Sequence, residues 1–128
     1  MILLTLLAAA QVPTMDCRKP MSQYEMNGCA HRIFRSTDAA LNTQWKKTLA
    51  AAHKAARQAR SKNGPLAGIA DALLSSQRGW IAYRDNHCRA VLLSVLGGSM
   101  GPKLEALCLA GLTRDRNAQL KDMEKRLQ

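Results

Sequence analysis

The sequence predicts an all-α protein: a small antiparallel bundle of three long helices stapled by disulfides. Three observations carry this expectation. Ala and Leu dominate the 128 residues, and only Tyr24, Phe34, Trp45, Trp80 and Tyr83 are aromatic. With β-branched residues also sparse, a sizeable sheet is disfavoured. Three stretches repeat apolar residues at helical spacing, separated by Asn63-Gly64-Pro65 and by Gly97-Gly98. The four cysteines, an even number in a short chain, read as two bridges. An apolar fraction of 47% with 22% charged residues is a globular composition. The length suits one core, and it rules out a multidomain enzyme, a collagen-like fibre and a bundle of membrane spans.

The first element is a targeting segment. Met1 to Ala10 carries no charge and ends in three alanines, and Ala8 and Ala10 supply the small residues expected at a signal-peptidase site. Residues 1–10 are thus expected to be a signal-peptide hydrophobic region, cleaved before Gln11. The run is shorter than the roughly 20 residues a membrane span needs. It also lacks a basic leader, as expected for a truncated signal. Residues 11–21 follow as an extended segment, and 22–128 form the helical domain.

The first helix opens on Ser22 and Glu25, the spacing of a capping box, with Met21 and Met26 placed as a hydrophobic staple. Its apolar residues run from Met26 through Leu41, Trp45 and Leu49 to Ala59. Ser36-Thr37-Asp38, all cap-favouring residues, mark a candidate break. The second helix opens at Pro65 and runs to Gly97-Gly98, with Leu73, Gln77, Trp80, Arg84, Cys88 and Val91 on one stripe. The third opens near Pro102, in the first-turn position proline favours. Short connections make consecutive helices antiparallel. Counting from a turn at 97–101 at equal rise per residue puts Cys88 and Cys108 at nearly one height. Counting from a turn at 63–64 leaves Cys29 about 15 Å from Cys88, beyond the reach of a bridge. The expected pairs are therefore Cys17–Cys29 and Cys88–Cys108. The same count puts Trp45 beside Trp80 and Tyr83, and Phe34 beside Leu92 and Leu93.

Catalytic patterns find no support. Gly97-Gly98-Ser99-Met100-Gly101 matches a nucleophile elbow, but that motif works on a strand-to-helix turn of a parallel sheet, and a helix–helix turn explains it better. His31, His53 and His87 are scattered, without a partner at dyad spacing. There is no Cys-x-x-Cys pair, and His87 faces away from Cys88, so neither a metal nor another cofactor is expected. The chain reads as a binding protein rather than an enzyme.

Two features could bind. The net charge is +10, and between Ala39 and Ala70 there is no acid, while Lys46, Lys47, Lys54, Arg57, Arg60 and Lys62 contribute +6. Lys54, Arg57 and Arg60 lie close to one helix face and could engage an anionic envelope polymer. Export and disulfides argue against a nucleic-acid role. The second feature is the segment Gln77 to Cys88. A Gln and an Arg on a core-facing stripe need partners, and the expected arrangement is a structural network in which Asn42 and Thr113 meet Arg84. Gly79 would leave room for a close helix contact beside Trp80.

At these residues the chain resembles the N-terminal domain of the LprI-like lysozyme inhibitors of exported bacterial proteins. The matching pieces are Glu25-Met26-Asn27-Gly28-Cys29-Ala30, Asp38-Ala39-Ala40-Leu41-Asn42, Gln77 to Cys88, Gly97-Gly98-Ser99, and Cys108 through Leu112-Thr113 to Arg116. They span Cys17 to about Leu120. Tyr83 stands where the family often has Phe, and Gly79 where it often has Ala. Glu25, Asn42, Gln77, Trp80, Arg84, Asp85, Thr113 and Arg116 are the candidate motif and network residues. The resemblance implies a small helical domain with disulfides, in the periplasm or secreted, that blocks a lysozyme or another cell-wall-active protein. A monomer is expected. The alternatives are a basic module for anionic envelope polymers and a structural envelope protein without inhibitory activity. Common animal lysozymes are basic, so a chain of +10 needs an acidic or apolar contact surface. Asp115, Asp122 and Glu124 offer a small acidic candidate among Arg114, Arg116, Lys121, Lys125 and Arg126.

Overall fold

The structure, a computed structural model, describes residues 15–61 and 64–128, with the side chains of Arg60 and Ser61 outside the description. The expected signal segment, its cleavage site and residues 11–14 therefore lie outside the described residues. Three helices make up the fold: α1 (Gln23–Ser61), α2 (Ile69–Leu93) and α3 (Gly101–Arg126), with a 3-10 turn at Pro65–Gly68 ahead of α2. No strand occurs among the described residues.

Helix α1 starts where its cap residues place it. The Glu25 amide donates to Ser22 Oγ (3.1 Å), and the Glu25 carboxylate accepts from the Met21 amide. The hydrophobic staple does not form, because Met21 is 80% exposed. With 39 residues, α1 is about 58 Å long. It runs through Ser36-Thr37-Asp38 without a break. Thr37 Oγ1 donates back to the Phe34 carbonyl (2.8 Å), a bond the helix tolerates, and Asp38 is held from α2 rather than acting as a cap.

Helix α2 begins four residues later than Pro65 suggests, because residues 65–68 take the tighter 3-10 form. It ends at Leu93, short of Gly97-Gly98, and Ser94 Oγ caps the Val91 carbonyl (2.7 Å). The turn at 94–100 needs Gly97, whose φ of +96° suits glycine. Helix α3 then opens with Pro102 in its first turn. The Gly97–Gly101 motif thus lies on a helix–helix turn.

The three helices form an up-down-up bundle in which α1 and α3 run parallel. Asn27 Nδ2 donates to the Ser99 carbonyl (3.1 Å) at one end, and Thr48 Oγ1 donates to the Leu120 carbonyl (3.0 Å) further along. Leu41, Ala52, Ala70, Leu73 and Leu120 form the buried core, with Trp45, Leu49, Trp80 and Met123 packed against it. Beyond α2, the last turns of α1 bury Ala55, Ala56 and Ala59. Small side chains let the returning chain come close, and the Gly64 amide donates to the Ala59 carbonyl (2.6 Å).

The α1–α2 register departs from the simple count. Arg84 was expected level with about position 43, but its partner on α1 is Asp38. The 3-10 turn and the extended Gly64 (φ −82°, ψ 163°) rise more per residue than an α-helix. The returning chain therefore climbs further along α1 before α2 begins. In consequence Phe34 meets Arg84 instead of Leu92 and Leu93. Trp45 and Trp80 share the core, while Tyr83 is 55% exposed and stacks on His87.

Candidate functional site

The middle of the bundle is polar, and Arg84 organises it. Its side chain is only 11% exposed. Nη1 donates to Asp38 Oδ1 (3.0 Å) and to Thr113 Oγ1 (3.3 Å), and Nε donates to Asp85 Oδ1 (2.8 Å). The guanidinium lies between two rings, 5.4 Å from the Phe34 centroid and 5.0 Å from that of Trp80. Arg116 reaches the same Trp80 ring at 5.9 Å. It also donates to Gln77 Oε1 (2.9 Å), Ser76 Oγ (3.0 Å) and Gln119 Oε1 (3.1 Å). Burial pushes the Arg116 guanidinium below its ordinary value.

Of the residues singled out from the sequence, Gln77, Trp80, Arg84, Asp85, Thr113 and Arg116 meet in this layer. Glu25 does not, and serves the α1 cap. Asn42 is exposed at the edge of the layer, where it donates to Asp38 Oδ2 (3.5 Å), the carboxylate that also holds Arg84. Gly79 is also corrected: nothing lies within 4 Å of where its Cβ would stand, so it makes no close helix contact. The pattern did not single out Asp38, Phe34 or Ser76 as partners. The signal for Asp38 was the need of a buried arginine for a carboxylate. These bonds join α1, α2 and α3, so the layer fixes the register of the three helices. Among the described residues no three His, Cys, Asp or Glu side chains gather as a metal site.

The end where α1 begins and α2 turns into α3 is built differently. Both disulfides are there: Cys17–Cys29 ties the N-terminal segment to α1, and Cys88–Cys108 ties α2 to α3, with Cα separations of 5.5 and 5.6 Å. Gly28 lets the segment lie down, because the Met15 thioether occupies the space a Cβ would need. On this clamped end Met21, Tyr24, Ile33, Leu96, Met100 and Leu107 are exposed, Leu96 by 72% and Tyr24 by 79%. A largely apolar groove of about 190 Å³ lies between Pro20, Met26, Ile33 and Leu107, with Lys103 in its wall. A wider cleft of about 520 Å³ opens between Tyr24 and His31 of α1 and Pro102 and Leu109 of α3.

The sequence-wide comparison agrees with this frame. The family described as Lysozyme inhibitor LprI matches residues 15–120. The chain belongs to the LprI family. An uncharacterized protein of Rhizobium meliloti (strain 1021) is 41% identical over 116 residues, covering 91% of this chain and 84% of that protein. No solved structure matches. No described helix is long and apolar enough to cross a membrane.

Lys46, Lys47, Lys54 and Arg57 are all exposed on α1. The Arg60 side chain, placed with Lys54 and Arg57 from the sequence, lies outside the described residues. The acidic candidate on α3 is engaged in internal contacts: Asp122 holds Arg126 (2.8 Å), and the Glu124 carboxylate accepts from Gln44.

Proposed function

We propose that this LprI chain is exported, to the periplasm or beyond, and acts as a binding protein that blocks a lysozyme or a related cell-wall-active protein. The contact is made through its disulfide-clamped apolar end. The carrying observation is the concentration there of exposed large apolar side chains on a doubly bridged frame. Such a surface is held ready before binding, so little ordering entropy opposes association. It also answers the charge problem. A basic lysozyme would be repelled by most of this molecule, and of the three α3 acids Asp122 pairs with Arg126 and Glu124 accepts from Gln44. Apolar contact needs no opposite charge, and the two disulfides suit an oxidising compartment.

The test is an inhibition assay against several lysozyme types with the oxidised protein and with Leu96→Asp/Met100→Asp. Both positions are exposed, so the fold should survive, as circular dichroism would verify. The wild type should slow lysis at micromolar excess and the double variant should not. Equal inhibition by both proteins would move the contact elsewhere, and inhibition by neither would reject the reading.

A further inference from the structure

We propose a second binding surface, separate from the clamped end: the outer face of α1 between Lys46 and Arg57, which takes a linear phosphate-bearing polyanion of the cell envelope. Helical geometry places Lys46, Lys47, Lys54 and Arg57 within one arc of about 100° at 100° per residue, along about 17 Å of axis. All four are exposed, as is His53 at the edge of the arc. Among the described residues none of the four makes an ion pair. Asp71 opens α2 at the level of this stretch, yet no ion pair joins it to any of them.

Two ordinary explanations fall short. Cations that compensate the helix dipole sit in the last turn, whereas α1 continues to Ser61 and these four begin well before it. Cations that serve solubility are interspersed with acids, as on α3, where Asp115, Asp122 and Glu124 alternate with arginines and lysines. On α1 no acid occurs between Asp38 and Asp71. An elongated patch of cations without ion-pair partners fits an extended chain of repeating negative charge better than a single small anion. The oxidising compartment implied by the disulfides separates the chain from chromosomal nucleic acid, which leaves an envelope polymer as the occupant.

The experiment uses the full oxidised chain and three probes: long-chain inorganic polyphosphate, tripolyphosphate, and vesicles containing phosphatidylglycerol. Long polyphosphate should bind, with log K falling against log salt at a slope of about −3 for four neutralised charges on a single-stranded polyanion. Lys46→Gln/Lys54→Gln/Arg57→Gln should weaken it by about tenfold or more and flatten the slope. Arg35→Gln/Arg89→Gln/Arg114→Gln removes the same charge from other exposed positions and should leave most of the affinity. Equal loss in both variants would reduce the effect to net charge and overturn the proposal. So would equal binding of tripolyphosphate, or binding to vesicles alone. Lysozyme inhibition in the first variant should stay unchanged, so this surface and the apolar end can fail independently.

Discussion

Arg84 shows how one residue can settle a packing arrangement. It carries charge into the bundle, and two carboxylates, a hydroxyl and two aromatic faces surround it. Removing a well-paired, nearly buried charge leaves its partners unsatisfied, at about 3–5 kcal/mol for a fully buried pair. Asp38 is a third exposed, so Arg84→Ala should cost about 3 kcal/mol, read from the urea midpoint at constant slope. A loss below about 0.5 kcal/mol, within the range of ordinary surface substitutions, would mean that the layer does not hold the fold and is free for another role. Gly79 makes the opposite case. It sits exposed inside α2 with open space around its missing Cβ. Gly79→Ala should therefore stabilise the protein by about 0.5–1 kcal/mol through backbone entropy. A lower melting temperature would show that something does approach that position.

At the scale of the elements, much of the fold was legible because its signals are local. Ser22 with Glu25, Pro102 and the apolar periodicity each mark a helix through chemistry contained in a few residues. The α2–α3 register was legible too, because a short turn leaves little freedom, and Cys88 meets Cys108. The α1–α2 register was not, since it depends on the rise of the chain through Gly64 and the 3-10 turn. That one offset explains why Arg84 meets Asp38 rather than Asn42 and why Phe34 lies under a guanidinium. The apolar end was not legible either. Met21, Tyr24, Leu96 and Met100 come from separated stretches, and only the assembled bundle shows that they share an end. The two bridges should act on different ranges. They span 12 and 20 residues, so chain entropy assigns each about 3 kcal/mol. Cys17–Cys29, however, holds a segment at the periphery. In Cys17→Ser/Cys29→Ser, hydrogen exchange should rise first at residues 15–22 and the N-terminal turn of α1, with α2 and α3 protected. Uniform loss of protection would place this bridge in the global folding unit.

The whole molecule divides by surface character along its length. One end carries exposed apolar side chains and both bridges, the middle is a hydrogen-bonded polar layer, and the outer face of α1 beyond it is basic. In the proposed reading, a protein with net charge +10 meets a basic partner chiefly through apolar side chains at one end, while the α1 cations remain available elsewhere. Burial of apolar surface without charge pairing has its own thermodynamic mark: a negative heat-capacity change and weak dependence on salt. Calorimetric titration of the oxidised protein into a lysozyme that it inhibits, at low and high salt and two temperatures, reads both at once. The account predicts saturable binding with a negative heat-capacity change, affinity altered less than about threefold by salt, and no measurable heat with Leu96→Asp/Met100→Asp. Binding that collapses in high salt, or that the double variant retains in full, would contradict it.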